Sequence, residues 1–148
     1  MTTVDESQHT GPANPRPAGP SIGRLARAGA VAGVGAAAAT TGAAAAARAA
    51  DVSLEVDAQA IPLGAFAWWT VVGAALGVLI ARLAGERSRF IAIAAVATAL
   101  SLVPAVVAPD DTATMVVLVG CHLLAAVIVV PVLGRRLHTR DAMATHTP

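Results

Sequence analysis

FIAIAAVATALSLVPAVVAPDDTATMVVLVGCHLLAAVIVVPVLG, residues 90–134, is the stretch whose reading decides the fold. It holds two apolar runs, Phe90–Ala108 and Thr114–Gly134, joined by Pro109-Asp110-Asp111-Thr112-Ala113. A helix needs about 20 residues to cross the hydrocarbon core of a bilayer, and each run is close to that. The joining segment has turn chemistry: Pro cannot continue a helix, and Asp caps the start of one, where it also meets the positive end of the helix dipole. Residues 90–134 therefore read as two membrane-crossing helices in a tight hairpin.

Two further runs lie upstream. Residues 63–83, LGAFAWWTVVGAALGVLIARL, open with Phe66, Trp68 and Trp69, where an aromatic belt at a membrane interface is expected. Residues 22–47 are weaker, nearly all Ala and Gly with Leu25, Val31 and Val34 as the larger aliphatics after Ile22. A secretory signal is the rival reading of this run, with an Ala-x-Ala-like end near Ala45–Ala50. A polar tail of about 20 residues precedes it and its apolar part exceeds a signal core, so a retained helix is expected. Gly29 and Gly33, and again Gly73 and Gly77, stand four apart, a spacing that lets helix backbones approach. Thr70, Ala74, Gly77 and Ala81 continue a small-residue stripe, and Ala94, Ala97, Thr98, Ser101 and Ala105 form another; both read as helix-packing faces.

Four runs give an all-α fold: an integral membrane four-helix bundle with helices at about 25–47, 63–83, 90–108 and 114–134. Residues 1–21 carry Pro12, Pro15, Pro17 and Pro20 and almost nothing apolar, so they are expected to be a disordered tail. Residues 135–148 are expected to be a second polar tail. Between the first two helices, Val52, Leu54 and Val56 alternate with Ser53, Glu55 and Asp57, which suggests a short extended piece with one greasy face lying across the bundle.

Composition agrees. Of 148 residues 56% are hydrophobic, and mean hydropathy is +0.70. Charged residues make up 13%, against about 25% in an average soluble domain. A net charge of +1 gives no reason to expect nucleic acid as a partner. All basic residues are Arg, which with the abundance of Ala fits a GC-rich genome. Their placement sets an orientation. Arg16, Arg24, Arg27, Arg82, Arg87, Arg89, Arg135, Arg136 and Arg140 fall on one side of the four runs and Arg48 alone on the other. Basic flanks stay in the cytoplasm, so both termini are expected there, in a bacterial cell membrane. An even number of crossings independently puts both ends on one side.

An ionisable residue inside a membrane helix is a functional-site hypothesis by default. Apart from the thiol of Cys121, His122 is the one such residue. Counting about 1.5 Å per residue, Ser101, with Thr98 one turn before it, lies at nearly the depth of His122. Thr70, Thr40 and Thr41 lie slightly further out. Unpartnered polar groups in hydrocarbon are costly, so this layer is expected to face inward and bond internally, with His122 donating to Ser101 or to a backbone carbonyl. A proton-carrying role is the competing reading, because an unperturbed imidazole titrates near pH 6.5. No phosphate-binding glycine loop, no histidine pair at metal spacing and no Asp or Glu within a run is present. That argues against metal, cofactor and small multidrug-exporter chemistry. The external acids Asp51, Glu55, Asp57, Asp110 and Asp111 read as solvated loop and cap residues rather than a cation site.

The second half resembles a family of small four-helix actinobacterial membrane proteins known only as a domain of unknown function. The resemblance runs over about residues 24–134, through Asp51, Glu86-Arg87, Ser101–Pro104, Thr112-Ala113-Thr114, His122 and Pro131. It implies the fold and the bacterial membrane, and brings no activity. The expected function is that of a non-enzymatic structural or accessory membrane protein. Its partner is the lipid bilayer, with a second copy or another membrane protein through the small faces. The alternative is a small proton-linked transporter built on the His122/Ser101 layer.

Overall fold

The computed structural model describes residues 22–137; the expected N-terminal tail and most of the C-terminal one lie outside them. Helix α1 spans Ile22–Ala49, α2 Leu63–Ala84, α3 Arg87–Val107 and α4 Thr112–Gly134. All four are long and apolar enough to cross a membrane. At 21–23 residues, α2, α3 and α4 are about 32–35 Å long, matched to a core of about 30 Å. With 28 residues α1 is about 42 Å long, and its last turn reaches the connection to α2.

The helices form a bundle in which α1 packs along both α2 and α4, α3 leans mainly on α4, and α2 meets α3 and α4 more lightly. The alanine-rich first helix thus becomes the bundle's spine. Lipid tails are as apolar as Leu, so close van der Waals packing rather than water exclusion holds such helices together. Gly29 and Gly33 are buried against α2: a Cβ at Gly29 would collide with Val78, and one at Gly33 would sit 2.9 Å from the Ala74 Cβ. Gly77 faces α4, where an added Cβ would lie 3.3 Å from Leu133 Cδ1. Fully buried Leu133 therefore occupies a hole left by Gly77 and Gly29. Gly73 departs from the expected packing role. It is exposed, and a Cβ there would meet nothing within 4 Å, because α2 turns that position toward the open α2–α3 side. Outward-facing Leu79, Leu83, Val96 and Leu100 leave a hydrophobic exterior suited to lipid.

The segment between α1 and α2 is more structured than an alternating pattern alone requires. Glu55–Val56 (β1) and Gln59–Ala60 (β2) pair antiparallel, Glu55 opposite Ala60 and Val56 opposite Gln59. Asp57 and Ala58, at the tip, both have positive φ (52° and 57°), as the tightest hairpin turn requires. Leu54 also has positive φ and is fully buried, in a second core with Ala44, Phe66 and Cys121. Phe66 is therefore a core residue, while Trp68 and Trp69 remain about two-thirds exposed.

The hairpin is tied to the turn between α3 and α4. Asp111 caps α4, accepting from the Thr114 amide at 2.8 Å and from the Thr114 hydroxyl at 2.7 Å. It also accepts from the Ser53 hydroxyl at 2.7 Å. Buried Thr114 accepts from the Leu54 amide at 3.1 Å, and Asp110 accepts from the Ala58 amide at 2.8 Å. Arg48 donates to the Ile61 carbonyl at 2.7 Å, closing the other side of the hairpin. Of the acids at this end, Asp111 is the cap and a latch group and Asp110 a second latch group.

These bonds hold the Asp111 carboxyl down to about 2, against an ordinary 3.8. The Thr114 hydroxyl is the largest cause, followed by the Thr114 amide and the Ser53 hydroxyl. A carboxyl whose folded value is depressed adds stability that is present above its ordinary value and is lost as pH falls through the folded one. The thermal midpoint in detergent is thus expected to drop between about pH 4 and pH 2. In Asp111→Asn, which keeps a capping oxygen but does not titrate, that drop should shrink. Identical pH profiles for the two proteins would refute the latch.

Candidate functional site

The polar groups of the expected layer divide into two sets. On one side, Thr40 of α1 and Thr70 of α2 bring their hydroxyls to 3.0 Å. Thr40 also donates to the Ala37 carbonyl at 3.2 Å. A hydroxyl has one proton to give, so Thr70 is the donor between the two. The buried Cys121 thiol points back at the Thr40 carbonyl at 3.7 Å. Three helices, α1, α2 and α4, therefore meet at Thr40.

His122 stands apart from that junction. Its Nδ1 lies 2.8 Å from the Leu118 carbonyl, one turn earlier on its own helix. A carbonyl only accepts, so Nδ1 carries the proton and, in the neutral ring, Nε2 carries a lone pair. Ser101 donates to the Thr98 carbonyl at 2.7 Å, again within its own helix. Of the two expected partners, Ser101 and a backbone carbonyl, His122 takes the carbonyl, while Ser101 bonds within its own helix and Thr98 takes part through its backbone. Thr41 departs from expectation too: its buried hydroxyl has no partner among the described residues. Equal depth brought Thr40 to Thr70, but it did not bring α3's hydroxyl to α4's imidazole.

His122 lines a cavity of about 690 Å³. Phe66, Trp69 and Thr70 of α2, Pro104 of α3, and Leu118 and Cys121 of α4 form its walls; Val56 and Ile61 of the hairpin lie over it. The size is within the range of small-molecule sites, which are mostly apolar with a few polar groups. Here His122 and Cys121 are the ionisable groups and Thr70 the hydroxyl. Lower in the bundle, a cavity of about 220 Å³ separates the small faces of α2 and α3, with Gly73, Thr98 and Ser101 in its lining. The expected stripes do face each other, but across a gap. No group of three or more His, Cys, Asp or Glu able to hold a metal occurs among the described residues.

The extended piece across the bundle was expected from the alternation at 52–57 and is the hairpin found here; the thiol's contact with α1 had no sequence signal.

Four apolar spans, a fastened hairpin and one histidine in an apolar cavity define a small multi-pass membrane protein. Within that class, the chain belongs to the Family of unknown function (DUF6069), whose model matches residues 20–139. The match takes in all four helices and the hairpin. No curated protein and no solved structure matches the chain.

Proposed function

We propose that this is a non-catalytic accessory protein of a bacterial cell membrane, with both termini in the cytoplasm, whose hairpin-end cavity holds an apolar molecule bearing one hydroxyl. The cavity around His122 is the observation that supports this: apolar walls with a single imidazole whose Nε2 is a hydrogen-bond acceptor. The hydroxyl would donate to that nitrogen while the remainder fills the space beside Phe66 and Leu118. Arginine placement supports the orientation, and small-residue helix faces support assembly with a second copy or another membrane protein. A proton-linked transporter is less well supported. His122 and Ser101 each close a bond on their own helix, leaving the layer unconnected as a proton path.

The test starts from full-length protein purified from its native membrane. Mass spectrometry of the extracted small molecules is expected to find an apolar alcohol or phenol. His122→Ala should retain about five- to tenfold less, the worth of one hydrogen bond of about 1–1.5 kcal/mol, while unfolding near the wild-type temperature. An empty wild-type protein would overturn the reading. So would a well-folded His122→Ala whose defect is loss of pH-dependent flux in liposomes, which would favour transport.

A further inference from the structure

At the opposite end of the bundle from the hairpin, Arg24 and Arg27 of α1 and Arg136, just past α4, line one pocket of about 340 Å³. Its remaining lining is apolar: Ala28 and Val31 of α1 and Val132 of α4. Arg24 and Arg27 are three apart and so share a helix face; Val31 continues that face one turn deeper and is 70% exposed. The pocket thus grades from guanidinium to hydrocarbon over about one helical turn, along a surface that faces lipid.

Charge sets what such a pocket accepts. A guanidinium stays protonated at any physiological pH and offers its donors in a fork that fits phosphate oxygens. The N-terminus of α1 and the C-terminus of α4 bring opposed half-charges, so the full charges of Arg27 and Arg136 decide the sign. Among the described residues the acid of this end is Glu86, which has Arg89 at 3.7 Å and the Ser88 hydroxyl at 2.6 Å. Basic pockets between membrane helices suit phospholipid headgroups. A free phosphate would use the arginines and leave the apolar floor without a partner.

We infer that the Arg24–Arg27–Arg136 pocket binds the phosphodiester of an anionic phospholipid, with the first carbons of its chains on Val31 and Val132. This site is separate from the His122 cavity and stands or falls without it.

The experiment titrates detergent-solubilised full chain with phosphatidylglycerol and with phosphatidylcholine and reads retained lipid by native mass spectrometry. Phosphatidylglycerol should be retained preferentially. Each guanidinium near an anionic surface is worth about fivefold in affinity, so Arg27→Gln with Arg136→Gln should weaken it by about 25-fold. Arg82→Gln with Arg135→Gln removes the same charge from the same end but outside the pocket, and should leave most of the binding. Equal loss in both pairs would show diffuse surface attraction and overturn the site. Equal retention of the two lipids by wild type, which needs no variant to fold, would also overturn it. So would displacement of the lipid by millimolar inorganic phosphate, which would assign the arginines to a soluble anion.

Discussion

Gly33→Ala is expected to destabilise the bundle, whereas Gly73→Ala, one helix away, is expected to be neutral or stabilising. At Gly33 the new Cβ would lie 2.9 Å from the Ala74 Cβ. Neither atom can rotate aside, so α1 and α2 must move apart along the most extensively packed seam of the protein. Overpacking of this sort costs about 1–3 kcal/mol, and helix propensity returns at most about 1 kcal/mol. With the full propensity gain the net loss is up to about 2 kcal/mol, larger for Gly33→Leu. At Gly73 the methyl meets open space and only the propensity gain remains. Thermal or denaturant unfolding in one detergent measures both variants. Equal stability of the two would remove the close α1–α2 contact from the account.

The second large effect is expected at Thr114→Val. The shape hardly changes, but Thr114 is fully buried and its hydroxyl oxygen accepts from the Leu54 amide at 3.1 Å and gives its proton to Asp111 at 2.7 Å. Valine leaves the Leu54 N–H buried with no acceptor, a loss of about 1–3 kcal/mol. Thr114→Ser keeps the oxygen and should recover most of it. Unfolding measurements give the magnitude. Limited proteolysis gives the location, with cleavage rising at residues 51–61 in Thr114→Val alone. A Val variant with wild-type stability and an intact hairpin would show that Thr114 fastens nothing.

The four helices were readable because a membrane imposes a length, and each apolar run carries that length in its own composition. The boundaries shifted where charge and helix coexist. α3 begins at Arg87 rather than at Phe90 because a first helical turn outside the hydrocarbon tolerates arginine. α4 begins at Thr112, directly after its Asp111 cap. The candidate site was readable only in depth. Residue counting along a helix gives height, which put Thr40 level with Thr70 and His122 level with Ser101. Which way each side chain turns depends on the neighbouring helix, and no single run encodes that. Hence Thr40 and Thr70 meet, Ser101 folds back on Thr98, and Gly73 looks onto a gap while Gly77, with the same motif, holds Leu133. Thr114 is the clearest omission. By sequence it is one more polar residue near a helix start, and its role exists only because Leu54, 60 positions earlier, arrives beside it.

Asp51, Leu54, Asp57 and Ala58 all carry left-handed backbone without being glycine, a conformation that costs roughly 1–2 kcal/mol for each such residue. Thr114 and Asp110, which accept from the Leu54 and Ala58 amides, and Asp111, which accepts from the Ser53 hydroxyl, come from the last third of the sequence. During synthesis, then, the link between α1 and α2 is made long before the residues that shape it. A nascent chain halted after α2 is expected to display a slack, protease-sensitive strap, which only the arrival of the α3–α4 turn and the start of α4 would set.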